Sequence, residues 1–495
     1  MMNDDIRISP TERYSKWLWG LGLILAFTLI GVMILYFGSM AGILILLLPF
    51  FIMFAVATFN KPVVAVYMLL FYSFFVFFFA RYFIKDVFPS GILYDGLLVY
   101  AYMIVFLKGL SGKIEWARLK DAPILILSVW LIYCILSLLN PESPGFDAWL
   151  YAFRVHMYMA LSIPLFCLLI DVRSLKTMII LWGVFSMILT LKGFMQLNIR
   201  LDHADELFLA QNYTTHILWG KLRVFSFCSD AGQFGVQQAH AAVIGGILFL
   251  GAKNAKQRLF FLLMAFTGLY GMFISGTRGA IFVIFGAALA YCALVRKVKL
   301  LILAIILGGG FYYFMAFTNI GHSVYSIHRM RSAFRPGEDA SYIVRKNNQA
   351  KLKTYLASRP LGGGLGSMGF GPSGSPLREI PSDSGYVLTW GDQGIIGLCM
   401  YIAMFLFFLF KGAQTVWFKI KNEWLRGVLI ALIAGISGDA IAHYGNAVML
   451  QHPTSTMIFL SIAVIYIAPR LDKAIMQEDE VAEKQTTSHI IKRGK

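Results

Sequence analysis

Apolar runs of about twenty residues succeed one another along most of this 495-residue chain, each long enough to cross a bilayer as a helix. They fall near 17–37, 40–58, 62–80, 91–108, 122–139, 151–170, 177–197, 234–252, 259–275, 279–295, 300–317, 385–410, 427–445 and 454–469. Short polar loops separate most of them. This pattern predicts an all-α polytopic membrane protein of about 12–14 transmembrane helices, because a run of this length fits a helix, which closes its backbone hydrogen bonds within one segment as lipid requires. The first run is too long, and lacks the small-residue site, for a cleavable signal peptide. The chain then divides into an N-terminal segment 1–16, a membrane body 17–470 and a polar tail 471–495, of which 477–495 is expected to be disordered.

Composition agrees with the pattern. Hydrophobic residues make up 58% and charged residues 14%, where a soluble domain carries about a quarter charged. The net charge of +17 is topological and does not point to nucleic acid, since most basic residues sit in short loops. One set of loops holds Lys108, Lys113, Arg118 and Lys120; Arg173 and Lys176; Lys253, Lys256 and Arg258; Arg296, Lys297 and Lys299; Lys411, Lys419, Lys421 and Arg426. The intervening short loops carry almost none. The positive-inside rule makes the basic set and both termini cytoplasmic. Cys134, Cys167, Cys228, Cys292 and Cys399 show no CxxC spacing and read as packing residues, with no disulfide framework and no zinc site.

Two long loops, 198–233 and 318–384, fall on the outer side. The second carries nine Lys and Arg against four acids, an excess that an anionic ligand explains. Three runs start at this face, each after a polar motif. The eighth follows Arg223 through Ser229, Asp230, Gln233 and Gly235. The tenth follows Ser275-Gly276-Thr277-Arg278-Gly279-Ala280. The twelfth follows Ser382-Asp383-Ser384, beyond the basic stretch Arg345–Lys353 and the glycine run Gly362–Gly366. Helix N-termini present unpaired N–H groups and the positive end of the macrodipole, and arginine's planar fork suits phosphate oxygens. Taken singly, these residues have plainer readings. Arg278 serves as well as an interfacial anchor, Arg223 as a loop surface residue, Asp230 and Asp383 as helix caps, and the glycines as a turn. Their convergence on one face favours a site. Arg154 and Lys192 are expected to snorkel. Asp439 and His443, four apart, are expected to share a helix face and either pair or line a cavity. His240 and Gln237 read as core hydrogen-bonding residues.

These motifs, in this order, resemble the bacterial O-antigen ligase and polysaccharide polymerase superfamily of membrane glycosyltransferases, over roughly 220–410. Arg223…Asp230-Ala231-Gly232-Gln233-Phe234-Gly235 resembles that family's arginine followed by H/D-P-N-x-x-A/G. Ser275–Ala280 resembles its S-x-S/T-R-G/T-A turn, and Arg359–Gly366 its N-P-L-x-G-x-G-x-G segment. Asp383-Ser384-Gly385-Tyr386 stands at its H-N-x-Y, and Gly394–Leu398 at its following G-x-x-G. The chain departs from the pattern at Ala231-Gly232, in place of Pro-Asn, and at Asp383, where ligases carry histidine.

The resemblance implies a GT-C-like membrane enzyme in the bacterial inner membrane with its site facing the periplasm. The donor would be an undecaprenyl-diphosphate-linked glycan. The acceptor would be lipid A core or a growing polysaccharide, and neither cofactor nor metal would be needed. Arg223 and Arg278 would stabilise the departing diphosphate, and Asp383 would orient or deprotonate the acceptor hydroxyl. Arg345, Asp230, Tyr386 and Gln233 are the expected substrate contacts. Ligase and polymerase both remain open. The alternative from another class is a flippase or transporter of lipid-linked oligosaccharide.

Overall fold

The computed structural model describes residues 28, 31–32, 39–84, 89–321, 325–334, 340–371, 375, 377–381 and 384–493. The longer helices are α1 (Ser39–Asn60), α2 (Val63–Phe79), α3 (Gly91–Leu110), α4 (Ile124–Leu136), α5 (Phe146–Leu169), α6 (Val172–Asn198) and α7 (Ala231–Gly251). They continue with α8 (Ala255–Ile274), α9 (Arg278–Val295), α10 (Val298–Phe317), α11 (Ala340–Leu356), α12 (Gly385–Phe418), α13 (Glu423–Ala442) and α14 (Thr454–Arg493). Among the described residues, 11 helices are long and apolar enough to cross a membrane, with two shorter apolar ones at Leu48–Asn60 and Ile124–Leu139. Every predicted run from 40–58 onward coincides with a helix. The run 17–37 lies almost wholly outside the described residues. Two compact units divide at Val64 and Ala65, and the contacts below belong to the second.

Asx residues set several of the starts. Asp171 and Ser174 form a reciprocal capping box on α6, and Asp230, Asn254 and Asn422 each accept a first-turn N–H of α7, α8 and α13. The basic loops lie at the opposite helix ends from the starts of α7 and α9, as the alternation of short loops requires.

Helix α7 forms the centre of the bundle, packed against α6, α8, α9 and α13, while α14 packs along α5. Small residues bring the helices together, as in other membrane bundles. At the α9–α13 crossing a side chain on Gly438 would put its Cβ 2.3 Å from the Val283 carbonyl oxygen. Lipid offers no hydrogen-bond partners, and two amides buried among these helices find theirs on α6. Gln237 Nε2 donates to Ser186 Oγ at 2.9 Å and Gln238 Nε2 to the Ser186 carbonyl at 3.0 Å.

Two expectations change here. Asp439 does not pair with His443: its Oδ2 lies 2.6 Å from Nδ1 of His240 on α7. His443 instead accepts the Met449 N–H at 3.3 Å and lies 3.4 Å from the Tyr401 hydroxyl. A shared helix face gave way to a better partner on the neighbouring helix. Lys192 does not snorkel either. It is buried, 2.5 Å from Asp202 and 2.6 Å from Asp205. Arg154 pairs with Asp95 at 2.6 Å.

Candidate functional site

The starts of α7, α9 and α12 and the end of α13 surround a cavity of about 990 Å³. Each wall is built locally. The strands Ile217–Leu218 and Lys221–Leu222 form a two-residue hairpin whose turn residues, Trp219 and Gly220, both have positive φ (51° and 70°). That turn twists with the strands and ends at Arg223. The backbone N–H of Arg223 donates to the His216 carbonyl at 2.8 Å, and its Nη1 to the Thr215 carbonyl at 2.9 Å. Seven residues on, Asp230 caps α7, its Oδ1 accepting from Gly232 N at 2.6 Å and Gln233 N at 3.0 Å. Ser229 Oγ donates to Oδ2 of the same carboxylate at 3.0 Å.

The second wall is the turn before α9. Ser275 Oγ accepts the Thr277 N–H at 3.1 Å and donates to the Met272 carbonyl at 2.7 Å. Thr277 Oγ1 is turned away from capping its own helix and donates to the Ala231 carbonyl at 2.7 Å. Arg278 is the first residue of α9 and reaches Ser332 Oγ at 3.0 Å. A cation at this position opposes the helix macrodipole. It gains nothing from the helix and a great deal from an anion.

Arg223, Arg278 and Arg345, which were singled out in the sequence, line this one cavity together with Asp230 and Tyr386. The Tyr386 hydroxyl donates to the Ala440 carbonyl at 2.7 Å and so joins α12 to α13. A fourth arginine, Arg329, is also there, with its Nε donating to the Gly276 carbonyl at 2.5 Å. Asp230 is the one carboxylate among the described lining residues. Apolar Phe282 and the exposed Ile441 and Tyr444 complete one side. His216 also lines the cavity. Burial holds its imidazole below the usual histidine range, and the Arg223 guanidinium acts in the same direction. Nδ1 of His216 lies 2.9 Å from the Thr215 hydroxyl and 3.2 Å from the Asn212 carbonyl.

Gln233 stands apart from the other expected contacts. It is fully buried and its Nε2 donates to Thr454 Oγ1 at 2.9 Å and to the Gln451 and His452 carbonyls at 3.3 and 3.2 Å. It pins the 451–454 segment and does not line the cavity. Asp383 lies outside the described residues. The cap of α12 is Ser384, whose hydroxyl accepts the Val387 N–H.

The glycine run lets two stretches of backbone pack closely. Helix α12 breaks at Gly394 (φ 67°, ψ −170°), and Gly362 presses against that break. A Cβ on Gly394 would lie 2.0 Å from the Pro360 carbonyl oxygen, and one on Gly362 would lie 2.3 Å from the Gly394 nitrogen. Asp392 then organises the rest, accepting Gly366 N at 3.0 Å, Met368 N at 2.8 Å and Ser367 Oγ at 3.1 Å. This segment carries the chain from α11 to α12 and holds the basic helix in register: Leu352 and Leu356 pack with Met368, Leu377, Ile380 and Val387.

Sequence reasoning missed Arg329 and His216. The signal for Arg329 was its share in the basic excess of 318–384, which names no position. Among the described residues no three His, Cys, Asp or Glu side chains gather as a metal site. No known protein family matches the chain, and no curated protein is similar to it.

Proposed function

We propose that this protein is a membrane glycosyltransferase of the O-antigen ligase or polysaccharide polymerase type, with a GT-C-like architecture and its cavity open to the periplasm. One observation carries the reading. Arginines from four separated segments, Arg223, Arg278, Arg329 and Arg345, line a single cavity at one end of a membrane bundle, beside exposed apolar side chains. That combination suits a ligand that is a polyanion at one end and a lipid at the other. An undecaprenyl diphosphate bearing a glycan has both.

In the proposed reaction the acceptor hydroxyl of a core lipid or growing polymer attacks the anomeric carbon. A new C–O bond forms, the bond from that carbon to phosphate oxygen breaks, and its electron pair leaves with the lipid diphosphate. A single displacement inverts the anomeric centre. Negative charge grows on the diphosphate during the step. Arg223 and Arg278 meet it, and the first-turn amides of α9, which have no side-chain cap, add their N–H groups. Asp383 takes or orients the hydroxyl proton. Arg345 and Arg329 hold the diphosphate or the first sugar, and Tyr386 and Asp230 shape the walls. The donor carries its own activated bond, so no nucleotide enters.

The test is turnover by purified protein in proteoliposomes supplied with undecaprenyl-diphosphate glycan and acceptor. Release of free undecaprenyl diphosphate, abolished in Arg278→Ala at unchanged melting temperature, supports the enzyme. Movement of the intact donor across the bilayer without cleavage of the sugar–phosphate bond identifies a transporter and overturns it.

A further inference from the structure

The loop that brings Arg223 and Asp230 to the cavity is gripped near its end by Arg81, a residue that does not line the cavity. After α2 the chain makes a π-helical turn, Ala80–Ile84, which swings Arg81 under the 198–230 loop. Arg81 Nη1 donates to the Ser226 carbonyl at 2.6 Å and Nη2 donates to the Cys228 carbonyl. Its guanidinium lies over the rings of Phe208 and Phe225, 3.9 and 4.8 Å from their centroids. The side chain is 6% exposed.

The turn it grips is one that would not persist alone. Ser226 is a non-glycine residue at φ 50°, a conformation costing about 1–2 kcal/mol. It is tethered at three points. Its N–H donates to Gln196 Oε1 at 2.8 Å, its hydroxyl to the Leu189 carbonyl at 2.6 Å, and its carbonyl is the one held by Arg81. Arg223 precedes this turn by three residues and Asp230 follows Cys228 by two. The other end of the loop is fixed by Lys192, which bridges Asp202 and Asp205 and lies 3.0 Å from the Tyr82 hydroxyl. Tyr82 in turn donates to Asp202. Neighbouring residues of one π turn therefore anchor both ends of the loop. Lys192 makes the close ion pairs with Asp202 and Asp205, while Asp205 lies 3.9 Å from Arg81 Nη1, so the short bonds of the Arg81 fork go to the two carbonyls.

We propose that Arg81 is a positioning residue for the anion cavity: by gripping the Ser226 and Cys228 carbonyls it sets where Arg223 and Asp230 stand. The catalytic arm of the test rests on the function proposed above; the exchange arm does not. A lysine keeps the charge but supplies no fork. Both Arg81→Lys and Arg81→Ala are made in the full chain in nanodiscs, with melting temperature measured first. Hydrogen exchange across residues 223–230 is then compared with wild type. Both variants are expected to exchange about tenfold faster there or more, while α13 and α14 stay protected. In glycan transfer from undecaprenyl-diphosphate glycan, kcat/KM is expected to fall about 100-fold in both variants, carried mainly by kcat. Methylguanidinium added to Arg81→Ala should restore part of the rate. Wild-type exchange in Arg81→Lys, or wild-type kcat/KM with a folded Arg81→Ala, overturns the proposal. A wild type with no turnover defeats the function, and the exchange result then decides the role of Arg81 by itself.

Discussion

Thr277 donates its hydroxyl to the carbonyl of Ala231 at 2.7 Å, and this bond ties the start of α9 to the start of α7. It forgoes the cap that a threonine would ordinarily give its own helix. Arg278 and Asp230, each one residue from a bonded partner, are thereby held at a common rim. Thr277→Val keeps the shape and removes the bond. The loss in stability is expected to be about 1 kcal/mol, readable as a lower melting temperature. Turnover is expected to fall more steeply, about tenfold or more. Turnover that simply follows the folded fraction would mean the bond serves the fold alone.

Arg278 is expected to need its fork as well as its charge. Arg278→Lys should lower kcat/KM for glycan transfer about tenfold and Arg278→Ala about 100-fold, since charge-assisted bonds of this kind contribute roughly 1.5–3 kcal/mol. Steady-state kinetics with fixed acceptor and varied donor checks both values.

The contact between Gly394 and the Arg359–Gly366 segment makes a stability prediction. At φ 67° and ψ −170°, with the Pro360 carbonyl oxygen 2.0 Å from where a Cβ would stand, Gly394→Ala meets both backbone strain and a clash with rigid backbone. Destabilisation of about 3 kcal/mol or more is expected, visible as early proteolysis of the 357–384 loop. Gly369→Ala, where nothing lies within 4 Å, isolates the strain of its φ of 105° and is expected to cost less.

How much of this was legible follows from the range of each signal. The spans were legible because apolar length is local. Arg278 was legible because it sits where polar sequence turns apolar, which is where a helix must begin, and Arg223 because it opens the polar motif that runs into the next such start. Gln233 lies in the first turn of α7 and bonds the 451–454 segment, a contact that no local pattern announces. The glycine run was ambiguous for a related reason. Glycines that let a ligand approach and glycines that let backbone approach look the same until Gly394, distant in sequence, is seen against Gly362. Asp439 and His443 share a helix face as their spacing says, yet His240 on α7 took the aspartate. The basic stretch His328–Arg331 offers no apolar period from which to choose Arg329.

His452, in the connection between α13 and α14, gives the pH dependence. Burial pushes it from the ordinary 6.5 down to about 4. The folded protein therefore binds fewer protons at this site than the unfolded chain. Its contribution to stability is complete above about pH 6.5 and declines as the pH falls from there toward about 4. Ser73 Oγ and Thr456 Oγ1, at 3.2 and 3.1 Å from Nδ1, are the neutral partners that a protonated ring would disturb. Melting temperature in detergent should fall across that window, and His452→Gln should flatten the fall. A His216 variant should show the same sign, since burial lowers that ring also.

If Arg223 and Arg278 grip one lipid diphosphate in a shared cavity, equilibrium binding of free undecaprenyl diphosphate to the protein in nanodiscs reads out that grip. Each single arginine-to-alanine variant is expected to raise Kd by about 10- to 100-fold. The double variant should lose less than the sum of the two free energies, because both act on one headgroup. Equal affinity in wild type and both variants, with all of them folded, would contradict the account.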